Sequence, residues 1–477
     1  MFIWIPIAGG IFSLIASMGI GSNDAANAFA TSVGSKALTL RQAVGLAAVF
    51  ETGGAILMGN HVTDTIRKGI ADYECFEDDP ELLAYGCMWV VAAVGCWLFT
   101  ASYFEMPVST THSCVGGMIG MTIALKGTSC VIWSKSVDTF PYVGGVGGIV
   151  LSWFISPIFS AIIASAIYLI NRFFILRKPF NYKRLTIMYP CLVGFTLIIN
   201  SFFIIYKGAK GLGLNKIEIG EAFGISFGIG TVGALITTPF IPKLCKYVEN
   251  KFATTTSSIE ITTTFENNRN EYNINSDEQL STVINIHNKA ETFDPKIEET
   301  YKYLQVFSAI CDSFSHGAND VANSIGPFAA IYVIYRDSGT LSKKNDLGDD
   351  AYWILAGGGV GIAIGLLVYG KRIIHALGDK LCKITPSRGT SVELGSALVI
   401  ITGSRLKIPL STTHCQVGAE CGVALCEKHR FQAINKKILF KTLFGWIITC
   451  IFVGIVSGVL TAQGAYSHSP KLLNNTC

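Results

Sequence analysis

The chain has 477 residues, of which half are hydrophobic and 15% charged, with a net charge of +4 and a mean hydropathy of +0.45. A soluble domain usually carries about 25% charged residues, so this deficit and the long apolar runs exclude an ordinary soluble domain and predict an all-α protein that crosses a lipid bilayer many times. The small net charge says little about partners, and we expect none among nucleic acids.

Apolar runs of about 20 residues, long enough to cross a bilayer as helices, occur along most of the chain. Five lie within residues 1–170, two within 187–242 and five within 302–462. We therefore predict about twelve transmembrane spans. Their approximate bounds are 2–31, 40–60, 83–104, 108–126, 141–170, 187–206, 219–242, 302–335, 351–370, 390–405, 410–426 and 438–462.

Two short motifs occur twice, in the same order. Gly21–Ala28 reads G-S-N-D-A-A-N-A and Gly317–Ser324 reads G-A-N-D-V-A-N-S, while Pro107–His112 reads P-V-S-T-T-H and Pro409–His414 reads P-L-S-T-T-H. From the first Asn to the Pro is 84 residues in one copy and 90 in the other. This spacing indicates a duplication, with repeats at 1–170 and 302–462 and the chemistry where the copies meet.

The distribution of Lys and Arg predicts which side each loop faces. With the N-terminus outside and twelve crossings, the basic segments Arg172–Arg184, Lys371–Arg388 and Lys428–Lys441 lie inside, and the acidic loop Asp72–Glu81 lies outside. Both termini are then extracellular, including the tail 463–477 with its glycosylation sequon. Since repeat one starts outside and repeat two inside, the copies are predicted to be inverted, with broken or re-entrant helices around one centre.

Two further features of composition lie outside the motifs. Residues 249–301 are rich in Asn, Ser and Thr, and their small apolar surface predicts a disordered cytoplasmic loop. The 14 cysteines form no C-x-x-C pair, and most, such as Cys96, Cys421 and Cys450, lie in apolar surroundings. We predict small buried apolar residues there, not disulfide partners or metal ligands.

The N-D-x-x-N motif places carboxylates inside apolar runs, where they are costly and usually mark an ion or substrate path. Asp24 and Asp320 are flanked by small residues that allow close packing and local unwinding. Carboxylate and amide oxygens on unwound backbone suit a hard cation such as sodium, the only metal ion expected. Polar contacts between packed helices are the alternative. The candidate ligands of this motif are Asn23, Asp24, Asn27, Asn319, Asp320 and Asn323.

The P-x-S-T-T-H motif predicts a helix N-terminus, because proline is favoured in the first helical turn. Free backbone N–H groups and three hydroxyls there suit a tetrahedral anion such as phosphate, and ordinary capping by Ser or Thr is the alternative. His112 and His414 are more typical of structural donors than of a proton relay. The candidate phosphate ligands are Ser109, Thr110, Thr111, Ser411, Thr412 and Thr413.

Two further carboxylates lie in or near predicted spans. Glu51 occurs in A-V-F-E-T-G-G and Glu393 in S-V-E-L-G-S, at positions that are not equivalent in the two repeats. We include both as candidate cation-binding residues. A structural hydrogen bond or an interfacial position is the alternative for each.

These paired motifs closely resemble those of the inorganic phosphate transporter family, of the sodium–phosphate symporter type. The segments Phe50–Gly54, Thr65–Ile70 and Ser391–Leu394 are also similar to the family's. Small substitutions at Ser22, Ala25 and Ser324 depart from its usual G-A-N-D-V-A-N-A and leave Asn, Asp and Asn in place. The resemblance implies twelve spans in inverted repeats, a central phosphate site with sodium sites beside it, outward termini and a cytoplasmic loop.

We therefore expect a plasma-membrane transporter that imports phosphate by alternating access, with sodium co-transported and no cofactor; a homodimer is one candidate assembly. Two alternatives stay open: coupling to protons in place of sodium, and transport of sulfate in place of phosphate, because sulfate is also tetrahedral. A non-transporting phosphate sensor is an alternative of another class. An intramembrane hydrolase with Ser109 or Ser411 as nucleophile is disfavoured, because a nearby histidine on the same helix points in a different direction from the serine. We therefore expect that the protein is not an enzyme.

Overall fold

The computed structural model describes residues 2–138, 142–206, 214–255, 277–341, 347–348, 352–377 and 380–467, and they are mainly helical. The longer helices are α1 (Trp4–Ile20), α2 (Leu40–Lys68), α3 (Pro80–Tyr103), α4 (Thr110–Lys126), α5 (Gly145–Asn171), α6 (Tyr182–Ile205), α7 (Ile219–Thr237), α8 (Phe240–Thr255), α9 (Asp277–Asn288), α10 (Pro295–Arg336), α11 (Tyr352–Tyr369), α12 (Lys371–Leu377), α13 (Pro386–Arg405), α14 (Thr412–Leu425) and α15 (Lys436–Ser467).

Shorter elements complete the described chain. Two two-residue strands, β1 (Lys135–Ser136) and β2 (Val143–Gly144), pair antiparallel, with Lys135 opposite Gly144. The short helical turns and wider π-type turns are Gly21–Ala25, Ala26–Ala28, Ala30–Gly34, Tyr73–Phe76, Thr128–Cys130, Arg172–Leu176, Leu214–Lys216 and Arg430–Ala433.

Eight helical segments of the described residues are long and apolar enough to cross a membrane. They contain α1, α2, α3, α5, α6, α7 with α8, α11 and α15. The other four predicted spans correspond to α4, α10, α13 and α14. Of these, α4 and α14 have only 17 and 14 residues, and α10 and α13 carry many polar side chains. The protein is therefore a helical membrane protein, and the number twelve stays a prediction.

Helix α10 lies at the centre of the molecule. Every residue from Ser315 to Ile331 is buried, and a helix that is covered on all sides belongs to a core. Its largest contacts are with α2 and α13, and it also packs on α1 and α3. Helix α14 packs on α5, and α4 packs on α15. The second copy of each motif is thereby brought against elements from the first part of the chain.

Small residues before each Asn-Asp pair let two backbones meet, as predicted. A Cβ added to Gly21 would lie 1.8 Å from the carbonyl oxygen of Ile362, and one added to Gly317 would lie 2.2 Å from that of Glu51. The predicted unwinding occurs in one copy only. The first motif forms a π-type turn at Gly21–Ala25, whereas the second lies inside the continuous helix α10.

Two predictions from composition are wrong in part. Helices α8, α9 and the start of α10 occupy most of the described part of 249–301, because apolar side chains such as Val283, Ile286 and Ile297 are buried there. Residues 256–276 lie outside the described part. Cys75 and Cys130 form a disulfide, since the fold joins segments 55 residues apart. Cys96 is exposed, and Cys421 and Cys450 are half-buried.

Candidate functional site

The two Asn-Asp motifs meet in the interior of the protein. Asp24 lies in the π-type turn after α1, and Asp320 lies on α10. Both are at most 2% exposed, as are the four motif asparagines. The fold thus brings together two carboxylates that are far apart in sequence, as the duplication predicts. The four asparagines are Asn23, Asn27, Asn319 and Asn323.

The two P-x-S-T-T-H motifs also meet, serine to serine. The backbone is extended at Ser109 and Ser411, and helices α4 and α14 begin at the next residue. Each serine side chain caps its helix, with acceptor-to-nitrogen distances of 3.4 Å to His112 and 3.3 Å to His414. The predicted helix N-termini are present, but they begin three residues after the proline, and the alternative of serine capping is also met. The two serine hydroxyls lie 2.8 Å apart.

The threonines connect the two kinds of motif. Thr110 donates its hydroxyl to Asp24 at 2.7 Å, and Thr412 donates to Asp320 at 2.6 Å. Thr413 also donates to Asp24, at 2.9 Å. The carboxylate of Asp24 therefore accepts hydrogen bonds from both S-T-T segments. Thr111 is turned away and donates to the carbonyl oxygen of Leu410 at 2.7 Å.

The four motif asparagines differ in whether their side-chain oxygen accepts a hydrogen bond. The Oδ1 atom of Asn23 accepts a hydrogen bond from the backbone N–H of Val108 at 2.9 Å. Among the described residues, the Oδ1 atoms of Asn27, Asn319 and Asn323 have no hydrogen-bond partner. Buried amide oxygens without partners are costly, and they are also ligands that hard cations prefer.

Glu51 and Glu393 lie in different surroundings. Glu51 accepts from Ser313 at 3.2 Å and lies 2.8 Å from Nδ1 of His316. Glu393 accepts hydrogen bonds from four side chains outside both motifs. These contacts fit a structural hydrogen-bonding role better than the role of a cation ligand beside Asp24 and Asp320. These four are Thr31, Ser32, Gln305 and Ser308.

His316 is a site residue that the sequence analysis missed. It precedes Gly317 of the second motif, and its two ring nitrogens lie 2.8 Å from a Glu51 oxygen and 2.9 Å from an Asp320 oxygen. Ligand atoms of Asp24, His316 and Asp320 all lie within 4.8 Å of one another, an arrangement that could hold a metal ion. The signals in the sequence were its place directly before the motif and its spacing of four residues, about one helical turn, from Asp320.

The two motif histidines have aromatic partners. The ring centroid of His112 lies 3.6 Å from that of Trp153, and His414 has the same separation from Trp446. The Nδ1 atom of His414 also lies 2.8 Å from the carbonyl oxygen of Trp153. Stacking on rings from α5 and α15 agrees with the structural role expected for these histidines.

The centre of the site is closed. A cavity of about 10 Å³ lies beside Asp24 and His316, which is room for about one water-sized sphere. With the two serine hydroxyls in contact, a tetrahedral anion does not fit between the helix N-termini. The other cavity residues are Asn27, Ala28, Asp312, Ile400, Thr412 and Gln416.

Known proteins resemble this chain over nearly its whole length. Residues 20–457 match the model of the phosphate transporter family. The chain is 31% identical over 446 residues to a putative phosphate permease of Haemophilus influenzae, covering 94% of this chain and 93% of the relative. It is 24% identical to sodium-dependent phosphate transporter 1 of Mus musculus, covering 98% and 96%.

A solved structure gives the same result. The chain superposes on a structure titled the sodium-dependent phosphate transporter with a TM-score of 0.77, at 28% sequence identity, over 96% of this chain and 98% of that one. The resemblance seen in the paired motifs thus extends over nearly the whole chain. The chain belongs to the phosphate transporter family.

Proposed function

We propose that the chain imports inorganic phosphate together with sodium, by alternating access. The observation that carries this proposal is the shared bonding of Asp24, which accepts from Thr110 of one S-T-T segment and Thr413 of the other. Any movement that separates the two segments must break one of these bonds. Binding at the centre is therefore linked to the relative position of the two halves.

Sodium has suitable ligands beside the aspartates. The unpartnered oxygens of Asn27, Asn319 and Asn323 lie in the same two motifs as Asp24 and Asp320. Phosphate carries one to two negative charges and is repelled by buried carboxylates. A sodium ion at these oxygens cancels that repulsion, so each ligand raises the affinity for the other by the same factor.

Phosphate binding requires the closed centre to open. The Ser109 and Ser411 hydroxyls, 2.8 Å apart, must separate before an anion can accept hydrogen bonds from them and from the free N–H groups of α4 and α14. Thr110 and Thr412 then exchange carboxylate contacts for phosphate contacts. The role of the S-T-T segments is to bind one anion from two sides.

The proposed topology has twelve crossings in two inverted repeats, with both termini outside the plasma membrane. The disulfide between Cys75 and Cys130 supports part of it, since disulfides persist in oxidising compartments. It joins the loop after α2 to the turn after α4, and the positive-inside distribution assigns both loops to the outside. The two halves would move around the shared centre to alternate access.

Uptake of radiolabelled phosphate into liposomes containing the purified protein tests this function. We expect uptake driven by an inward sodium gradient and little competition from sulfate. If a proton gradient without sodium drives uptake equally well, the coupling ion is the proton and not sodium. If the protein binds phosphate but does not take it up, it is a sensor and not a transporter.

A further inference from the structure

A groove lies between α6, α8 and the first turns of α10, away from the paired motifs. Its volume is about 490 Å³, within the range of about 300–1,000 Å³ that is typical of ligand sites. Phe307, the lining residue nearest to Asp320 along α10, lies about 20 Å of helix before it. The groove is therefore a cavity distinct from the closed centre.

The walls of the groove are mainly aromatic and aliphatic. Helix α6 contributes Tyr189 and Val193, and α10 contributes Tyr303 and Phe307. Tyr303 is 51% exposed, and an exposed tyrosine beside apolar side chains is typical of the boundary between a bilayer and water. The proposed topology assigns the start of α6 and the start of α10 to the cytoplasmic side, so the groove lies where the inner leaflet meets the cytoplasm.

Helix α8 forms the third wall of the groove and has two apolar faces. Ile241 and Cys245, one helical turn apart, are buried against the protein. Phe240, Leu244 and Tyr247 share another face of the helix and line the groove. Phe240 and Tyr247 are 59% and 53% exposed. The described part of the protein thus leaves an apolar surface uncovered at the membrane boundary, where the bilayer supplies acyl chains.

Of the described residues that line the groove, Lys243 on α8 alone carries a charge. Its Nζ atom lies 5.9 Å from the centroid of the Phe240 ring, and no carboxylate of the described residues pairs with it. Glu299, in the first turns of α10, pairs instead with Lys251 at 2.6 Å and with Lys302 at 2.9 Å. An exposed basic side chain beside an apolar groove on the cytoplasmic side has the chemistry that binds the headgroup of an anionic lipid.

We propose that this groove binds one anionic phospholipid of the cytoplasmic leaflet, with an acyl chain against Phe240 and Phe307 and the headgroup phosphate at Lys243. This inference goes beyond the proposed function and uses only its topology. A soluble anion finds one charged partner and otherwise apolar walls in the groove, and a zwitterionic lipid brings no net negative charge to the lysine. The bound lipid connects α6 and α8 to α10, the helix that carries Asp320.

Native mass spectrometry of the purified full-length protein, titrated in detergent with dioleoylphosphatidylglycerol or dioleoylphosphatidylcholine, tests the site. We expect one molecule of phosphatidylglycerol to bind about fivefold more tightly than phosphatidylcholine, because one basic side chain near an anionic headgroup contributes that much. Lys243→Gln should remove this preference. The matched control is Lys246→Gln, an equal loss of charge at an exposed residue of the same helix that is not among those lining the groove. Its affinity for each lipid should stay within about twofold of the wild type.

A second variant, Val193→Phe, tests the apolar part of the site. The larger ring fills the groove without changing its charge, so the binding of both lipids should weaken. Thermal unfolding without lipid verifies that each variant is folded; should Val193→Phe fail this check, Lys243→Gln decides the question alone.

Three results would overturn the proposal: equal affinities of the wild type for the two lipids, equal losses in Lys243→Gln and Lys246→Gln, or unchanged lipid binding in folded Val193→Phe. None of these measurements uses phosphate or sodium, so their outcome is independent of the proposed function.

Discussion

The two motif copies hold their asparagine NH2 groups in the same way and use their asparagine oxygens differently. The Nδ2 atom of Asn23 donates to Ser102 at 3.1 Å, and that of Asn319 donates to Ser404 at 3.0 Å. The oxygen of Asn23 accepts a hydrogen bond from the Val108 amide, whereas the oxygen of Asn319 has no partner in the described part of the chain. The matching Nδ2 bonds hold both motifs in the fold, and the free oxygen of Asn319 is one of the proposed sodium ligands.

The two halves also differ in the interaction that joins their connecting segments, which is a disulfide in the first half and a buried ion pair in the second. In the first half a disulfide, Cys75–Cys130, joins the segments after α2 and α4. In the second half an ion pair joins Arg388 at the start of α13 to Glu427 after α14, at 2.7 Å, with both side chains 2% exposed. Arg388 also donates to the carbonyl oxygen of Glu291, at 2.6 Å. The connecting segments of the first half are therefore joined covalently, and those of the second half electrostatically.

The largest effect we expect comes from breaking the buried ion pair. Arg388→Met leaves Glu427 without its cation and should lower the free energy of unfolding by about 3–5 kcal/mol. Thermal unfolding in detergent measures this. The control is Arg177→Met, whose pair with Glu291 is half-exposed and contributes about 1 kcal/mol or less. Equal effects of the two changes would contradict the buried-pair account.

The pair also predicts a pH dependence. Burial raises the pKa of Glu427, but the charge of Arg388 and hydrogen bonds from the Glu291 amide and Tyr168 outweigh it, so the pKa lies below its ordinary value of 4.5. A carboxyl group whose pKa is lowered on folding stabilises the folded protein at pH values above its pKa in the unfolded chain. This stabilisation is lost as the pH falls through its pKa in the folded protein. The difference in stability between wild type and Arg388→Met should therefore persist at neutral pH and shrink only in acid.

A smaller effect distinguishes the two S-T-T segments. Thr110→Val and Thr412→Val each remove a hydroxyl bonded to a buried carboxylate, and each should cost about 1.5–3 kcal/mol in phosphate binding, or roughly ten- to hundredfold in affinity. Thr110→Val should also destabilise the phosphate-free protein more than Thr412→Val does, because Thr110 accepts in addition from Asn323 at 3.0 Å. Phosphate binding at fixed sodium concentration measures both.

The control for the threonines lies on the same helix. Thr122 is buried and donates to the backbone carbonyl of Met118 at 2.7 Å, so Thr122→Val should leave phosphate affinity unchanged. If Thr110→Val and Thr412→Val also bind phosphate with wild-type affinity, the anion site lies elsewhere.

The smallest effects test the asparagine difference itself. Asn23→Ala removes a partner of the Val108 amide and should cost about 1 kcal/mol more stability than Asn319→Ala, since a buried donor is left unpaired. Asn319→Ala should instead weaken the stabilisation that added sodium gives. Thermal unfolding with and without sodium measures both quantities. The opposite pattern would show that the free oxygen of Asn319 is not a ligand.

The sequence predicted much of this arrangement, because local patterns carry it. The predicted span 187–206 corresponds to Tyr182–Ile205, since one long apolar run forms one helix. The meeting of Asp24 with Asp320 followed from the duplication. His316 stands four residues before Asp320, a helical spacing that was a usable signal, but its contact with Glu51 and the Cys75–Cys130 disulfide were missed, because these partners lie 265 and 55 residues apart. No local pattern identifies such pairs.

In the proposed mechanism, the charge of the paired aspartates makes phosphate binding depend on sodium. Phosphate binding to purified protein across a sodium titration, for wild type and Asp320→Asn, tests it most directly. The asparagine side chain keeps the shape and one oxygen and loses the charge, so sodium should bind more weakly and phosphate should depend less on it. We predict a flatter sodium curve for Asp320→Asn, and for Asp24→Asn if both motifs take part; parallel curves for wild type and variants would contradict the account.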